Sequence, residues 1–298
     1  VAKPADCDRQ HAIAPEIEMG NAAAVAKAFQ KLHQGVAIPY YEKLLDQGYS
    51  RLVERGHTVF DVGAHSGLHL DRFVTLVGVE GRVFAFEPIP RFARYLAARY
   101  RENGSVTVKP IALSDSAGSA TFKVVEGALE QSGLRERNLG AVRRSDGRIS
   151  ALAVRLANGV LRRTGLSRHV KRRPIAVQDI VVDVDTIDAQ AAALERLDYI
   201  KIDVEGGEMN CLRGARRAVN RHRPFISVEY GRPGYTAYGE TALSLFEWSQ
   251  QNRYLLSDLF GNVIEDESEW LQVCDTSYWD FFLLPQERRD FWISKFQG

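Results

Sequence analysis

The stretch Thr58-Val59-Phe60-Asp61-Val62-Gly63-Ala64-His65-Ser66-Gly67-Leu68-His69-Leu70 constrains the fold of this chain more than any other. A short apolar run, Thr58 to Phe60, ends at an acid and turns through two glycines. Leu70, Phe73, Val74 and Val77 then recur at helical spacing. The segment reads as strand, tight turn, helix. Gly63 and Gly67 let backbone approach a ligand with no Cβ in the way, Ser66 is placed to cap the helix, and the free N–H groups of a helix start favour an electronegative ligand group. Such a turn suits a nucleotide-like cofactor. Dinucleotide-binding turns read G-x-G-x-x-G, whereas this one reads D-x-G-x-x-x-G with an acid at the strand end.

One strand later, Arg82-Val83-Phe84-Ala85-Phe86 ends in Glu87-Pro88. An acid there can take a pair of ribose hydroxyls by bidentate hydrogen bonds. A solvated strand-end carboxylate is the bland reading of either acid alone; two such acids flanking one glycine turn favour the functional one.

The rest of the chain repeats the pattern. Helices are expected over 21–34 and 41–55, the second carrying Leu44, Leu45, Leu52 and Val53, with a helix over 92–100 and a strand over 106–110. In Ser119 to Val125, Ala120, Phe122 and Val124 alternate inward as an added strand would. Leu197 to Glu208 is another strand and glycine turn, and Phe225 to Tyr230 a fifth strand ending near an acid. Strands at 254–257 and 279–284 are expected to form an antiparallel edge ribbon. The fold class is therefore α/β, a doubly wound, mainly parallel sheet with that ribbon. An N-terminal arm and helices (1–55) precede the main domain (56–285), and a tail (286–298) follows it.

Composition removes several classes. With 45% hydrophobic residues among 298, the chain can fill a substantial core, which excludes disorder throughout. Cys7, Cys211 and Cys274 are far apart, without a C-x-x-C pair, which suits reduced thiols and suggests no zinc site. No run is long and apolar enough to span a bilayer, and the first residues lack the apolar core of a signal peptide, so a soluble, cytoplasmic protein is expected. No feature specifies an oligomeric state. The formal charge of +1 is unevenly placed: 135–173 holds twelve Lys/Arg against Glu136 and Asp146, a net +10 that leaves −9 for the remainder.

Taken together, Asp61-Val62-Gly63-Ala64-His65-Ser66-Gly67, Phe86-Glu87-Pro88, Ala112-Leu113-Ser114-Asp115, Gln131-Ser132-Gly133-Leu134, Tyr199-Ile200-Lys201-Ile202-Asp203-Val204-Glu205-Gly206-Gly207-Glu208 and Ser227-Val228-Glu229 occur in an order that resembles the FkbM-type methyltransferases. The resemblance covers about Val59 to Pro285. It departs at Gly133, where the family often has a second serine, and it does not extend to the basic insert. It implies a class I methyltransferase fold, Rossmann-like, binding S-adenosyl-L-methionine and methylating a hydroxyl, commonly of a sugar or a polyketide. By position it implies that Asp61, Gly63, Ala64 and Gly67 line the methionine and ribose side, that Glu87 takes the ribose hydroxyls, and that Ser114 and Asp115 sit by the adenine. His65 belongs to the same turn and should abut the cofactor; His69 is expected to be an ordinary surface or core histidine.

Methyl transfer to oxygen needs alignment and a group to take the hydroxyl proton. The carboxyl edge of a class I sheet should present Asp61, Glu87, Asp203, Glu205 and Glu229. Lys201 and Asp203 should share a face of their strand. The roles expected are Asp203 as base or proton relay, Glu229 and Glu205 as substrate-orienting acceptors, and Lys201 as the charge that keeps Asp203 ionised. A structural ion pair is the alternative for Lys201 and Asp203. Asp203 with Glu229 could instead hold a divalent cation such as magnesium, and the sequence leaves that open.

In the basic insert, Ile149, Leu152, Ala153, Leu156 and Val160 fall on one helical stripe and Arg148, Arg155 and Arg162 on the opposite face. It reads as a lid with a solvated arginine face, or as a peripheral contact with an anionic membrane or a lipid-linked acceptor. Nucleic acid is disfavoured, because the segment lacks aromatics for stacking. The leading function is O-methylation of a glycan, glycolipid or related sugar acceptor, with a polyketide or other secondary-metabolite hydroxyl as the alternative. A nicotinamide oxidoreductase lacks its G-x-G-x-x-G here. A non-catalytic membrane-binding or scaffold protein would leave acids at five separate segment ends unexplained.

Overall fold

The computed structural model describes residues 22–26, 41–125, 132–134, 177–276 and 278–296. The basic segment 135–173, with its expected amphipathic helix, lies outside the described residues, as do the N-terminal arm and most of the helix expected over 21–34.

Helices α1 (22–26) and α2 (Tyr41–Tyr49) lead into β1 (Thr58–Val62), α3 (Leu68–Val77), β2 (Arg82–Phe86), α4 (Pro90–Arg99) and β3 (Val106–Lys109). Three strands follow, β4 (Ile111–Leu113), β5 (Gly118–Val125) and β6 (Val177–Asp185), then α5 (Ile187–Ala191), β7 (Tyr199–Ile202), α6 (Glu208–Arg213), α7 (Arg216–His222) and β8 (Phe225–Glu229). The chain continues through α8 (Arg232–Ala237), α9 (Ala242–Gln251), β9 (Tyr254–Ser257), β10 (Val263–Ile264), α10 (Glu267–Val273), β11 (Asp280–Pro285) and α11 (Arg289–Phe296). The helix expected over 41–55 stops at Tyr49; Leu52 and Val53 are still buried, but from the turn that leads to β1.

The main sheet has the order β10-β9-β11-β8-β7-β1-β2-β3, with β3, β2, β1, β7 and β8 all parallel. From β1 the chain winds outward one way to β2 and β3, then returns to place β7 on the other side of β1 and winds the opposite way. Its topological switch point therefore lies between β1 and β7, where open α/β sheets bind ligands at their carboxyl edge. Every residue of β1 and β7 is buried, as strands covered on both faces must be.

The expected antiparallel ribbon is present, with more built onto it. β11 pairs with β8 on one side and β9 on the other, and β10 forms the edge. Phe281 to Leu284 are fully buried, which is why this stretch shows no alternation in the sequence. Phe122 and Val124 face inward and Ala120 is half-buried, as the alternation expected, but β5 belongs to a separate three-stranded sheet, β4-β6-β5. That sheet has its own small core of Ile89, Ala112, Phe122, Val124, Val182 and Val184. An isolated bridge from Lys123 to Gly133 brings 132–134 beside β5. No helix among the described residues is long and apolar enough to cross a membrane.

Candidate active site

The turn after β1 is built from backbone constraints. Gly63 has φ +84°, and a Cβ there would lie 1.8 Å from the carbonyl oxygen of Asp203, so a glycine is what lets the turns after β1 and β7 touch. The N–H groups of Gly63 and Ala64 both donate to the Phe86 carbonyl, at 3.0 and 3.1 Å, which ties the turn to the end of β2. His65, at φ +47°, turns its N–H onto Glu87 Oε2 at 2.7 Å, while Ile89 N–H donates to Oε1 at 2.7 Å. Ser66 does not cap α3 as expected: the left-handed Gly67 takes the N-cap position, and no side chain bonds the first turn.

Glu87 is 3% exposed. Burial pushes its carboxyl up to about 7, against the pull of the two N–H groups. Asp61, on β1, is buried beneath the turn and pairs in register with Lys201. Neither of its carboxylate oxygens has a hydrogen-bond partner among the described residues. Burial raises its pKa, and the Lys201 ammonium works in the other direction.

The turn after β7 carries the chemistry-bearing acids. Lys201 is buried, and its ammonium lies 3.0 Å from Asp203 Oδ2, as their shared face required. Burial works against that ammonium, but the charges of Asp203 and Asp61 outweigh it and hold the lysine above its usual pKa. Glu205 adopts φ +65°, costly for a residue with a side chain, and is followed by Gly206 at φ +114°. Glu208 pins this turn: its buried carboxylate accepts from Val204 N–H at 3.1 Å and Gly206 N–H at 2.8 Å. The run Asp203 to Glu208 is thus an acid-presenting loop closed by its own last acid.

Asp203, Glu205 and Glu229 each bring one carboxylate oxygen within 4.8 Å of the others. Glu229 ends β8, and its register partner on β11 is Asp280. Burial, with Asp203 and Glu205 adding to it, pushes Glu229 well above the usual carboxylate range; burial and Asp203 push Asp280 up to about 8. Asp280 therefore keeps its proton near neutral pH, and Glu229 is biased toward its protonated form, so that this part of the wall can donate as well as accept.

These turns enclose a cleft of about 350 Å³, within the range of small-molecule sites. Toward β2 and β3, Glu87 is surrounded by Ile89, Ile111, Ala112, Leu113, Phe122 and Leu134. Toward β7 and β8 the wall is Glu42, His69, Lys201, Asp203, Glu205 and Glu229. Gly63, Ala64 and His65 line the middle. Of the residues singled out in the sequence, Asp61 and Gly67 support the turn without lining the cleft, and Ser114 and Asp115 also fall outside its lining. The Ser114 N–H donates instead to the Asp185 carbonyl at 2.9 Å, in the small sheet.

Two residues of the polar wall were missed. His69 is 8% exposed and bonds Glu42 at 2.8 Å, so it is neither a surface residue nor an idle core one. Glu42 sits in the first turn of α2, and no local pattern in its neighbourhood marks it.

Residues 61–264 match the family model described as Methyltransferase FkbM domain. No curated protein matches the chain. Among solved structures, it is similar to the methyltransferase FkbM from Methylobacillus flagellatus KT, at 14% identity and a TM-score of 0.45. That match covers 88% of this chain and 54% of the other, so the chain spans about half that protein's length. It is also similar to Aeropyrum pernix fibrillarin crystallised with natively bound S-adenosyl-L-methionine, at 10% identity and a TM-score of 0.38, covering 78% and 68% of the two chains. A third similarity is to a SAM-dependent O-methyltransferase from Thermotoga maritima, at 11% identity and a TM-score of 0.37, covering 87% and 71%.

Proposed function

The chain belongs to the FkbM methyltransferase family, and from that premise we propose that it moves a methyl group from S-adenosyl-L-methionine to a hydroxyl of a glycan, glycolipid or related sugar acceptor. The residues present fit that cofactor. Gly63, Ala64 and His65 line the cleft, and Glu87 beside them is a buried acid whose two backbone bonds leave lone pairs free for a ribose diol. When bound, S-adenosyl-L-methionine supplies an electrophilic methyl on its sulfonium.

The observation that carries the reading is the placing of Glu87 at one end of the cleft and of the Asp203, Glu205 and Glu229 cluster at the other, on opposite sides of the switch point. The apolar surround of Glu87 suits an adenosine. The acid cluster suits a hydroxyl-rich acceptor, since carboxyl groups accept from hydroxyls and, where protonated, donate to them. Asp203 takes the acceptor's proton as the C–O bond forms, with Lys201 stabilising its charged form; Glu229 and Glu205 orient the neighbouring hydroxyls.

The three carboxylate oxygens within 4.8 Å support a second reading, in which a divalent cation such as magnesium sits there and polarises the hydroxyl. The Lys201 ammonium, 3.0 Å from Asp203, already places a positive charge at that cluster and favours the first reading.

Asp203→Asn tests the assignment. It should fold and bind S-adenosylhomocysteine normally while methyl transfer to neutral oligosaccharides falls by about 10²–10⁴, the usual range for a general base. Near-normal turnover would place the base elsewhere. Loss of wild-type activity on chelation, restored by magnesium, would select the second reading, and methylation of polyketide hydroxyls alone would replace the acceptor class.

A further inference from the structure

Glu42 comes from outside the matched region, since α2 precedes residue 61, yet its carboxylate reaches the same wall of the cleft as Asp203 and Glu229. It is held there by a chain of two side chains. His69 Nε2 lies 2.8 Å from Glu42 Oε2, and His69 Nδ1 lies 3.1 Å from the hydroxyl of Tyr49, about two helical turns further along α2. A carboxylate can only accept, so Nε2 donates to Glu42, and the bond between Nδ1 and the Tyr49 hydroxyl fixes the plane of the ring. Tyr49 is 1% exposed and packs edge-on against the His69 ring, whereas the Glu42 side chain remains 47% exposed at the cleft mouth.

A structural tie between α2 and α3 would need no such arrangement. Burying a histidine and a tyrosine hydroxyl costs free energy unless their bonds are satisfied, and here those bonds fix the direction of a half-exposed acid. A free glutamate at a cleft mouth would sample many rotamers; this one is aimed. Its negative charge adds to that of Asp203 in a wall where Lys201 is the one lysine or arginine among the cleft-lining residues described. Charges of one sign in a cleft with low-dielectric walls act on whatever enters.

We propose that Glu42 is a specificity-determining residue, held over the methyl-transfer end of the cleft by His69 and Tyr49, which admits neutral or cationic acceptors and turns away those with an anionic group beside the reacting hydroxyl. His69 and Tyr49 are positioning residues. The inference rests on the methyltransferase reading but not on the identity of the acceptor.

The test measures ligand binding rather than turnover. S-adenosylhomocysteine has no charge where the methyl would be, whereas its analogue sinefungin presents an ammonium there. Calorimetric titration of both into wild type, Glu42→Gln and Tyr49→Phe should give a wild type that prefers sinefungin. In Glu42→Gln, sinefungin affinity should fall roughly three- to tenfold while S-adenosylhomocysteine stays within about twofold, and the difference should shrink as salt rises. The substituted glutamine keeps the shape and can still accept from His69, so unchanged S-adenosylhomocysteine binding doubles as the folding control. Tyr49→Phe should show a smaller loss of the same kind. Equal losses for both ligands would make Glu42 a structural tie only, and no loss for either would also overturn the proposal. A wild type that binds neither ligand would instead overturn the cofactor reading, and this inference with it.

Discussion

Glu87 is a carboxyl that the fold has buried and then provided with donors, and its behaviour should reveal both. Raised to about 7, it carries a proton in mildly acidic solution and loses it near neutrality. A ribose diol is held better by the charged form, so affinity for S-adenosylhomocysteine should rise as pH passes through about 7. Glu87→Gln should flatten that dependence, and Glu87→Ala should weaken binding by roughly 1–3 kcal/mol at pH 8. Titration calorimetry across pH checks both, and an unchanged Kd in a folded Glu87→Ala would remove the residue from the cofactor site. This acid was legible because it sits at a strand end directly after an apolar run, a local signal. The Glu42–His69 pair was not, because its members are 27 positions apart and meet only when α2 lies against α3. Ser114 and Asp115 mark the converse: the motif is readable, but the two residues follow the end of β4, whose Ala112 and Leu113 line the cleft while the Ser114 N–H is taken by Asp185 of β6.

Among the elements, α2 depends on one close approach. A Cβ at Gly48 would meet the Phe282 ring at 2.5 Å, and Phe282 is fully buried on β11, with no room to withdraw. Gly48→Val should therefore lift α2 and cost about 1–3 kcal/mol. Hydrogen exchange should quicken over 41–49 while β1, β7 and β8 stay protected; uniform loss of protection would mean that α2 is not a separable unit. Strands followed by glycine turns were readable throughout, since apolar run, acid and glycine fall within about ten residues. Helices α8, α10 and α11 and strand β10 were not. They are short, and their burial comes from aromatic contacts across the fold, such as Trp292 with Phe282 and Trp270 with Phe281, rather than from a repeating stripe.

For the molecule as a whole, the buried acids set the direction of its pH response. Asp280 at about 8, Glu87 at about 7 and Asp258 at about 6 are all raised by burial, as are Glu229 and Asp61. The folded state holds these protons after the unfolded chain has released them, so stability should fall as pH climbs from the ordinary carboxylate range through about 8. Glu42 and Glu287 are lowered by their hydrogen-bond partners and act in the opposite sense, losing their contribution as pH falls through their folded values. The ligand-free protein should accordingly show its highest Tm in mildly acidic buffer and a decline toward about pH 8.5, with Asp280→Asn reducing the slope. A Tm that rises steadily from about pH 6 to 8.5 in scanning calorimetry would contradict the raised values.

Strand β11 follows β8 and β9 in sequence, yet it lies between them in the sheet, hydrogen-bonded to both, with Phe282 packed against Gly48 of α2. On the ribosome, β8 and β9 must therefore wait with unpaired edges until β11 has been made and has emerged. A nascent chain stalled just before Asp280 would expose two open strand edges and the apolar bed of Phe281 to Leu284. Synthesis thus passes through a vulnerable interval that lasts from the making of β8 until β11 is available, the stage at which a chaperone would have most to shield.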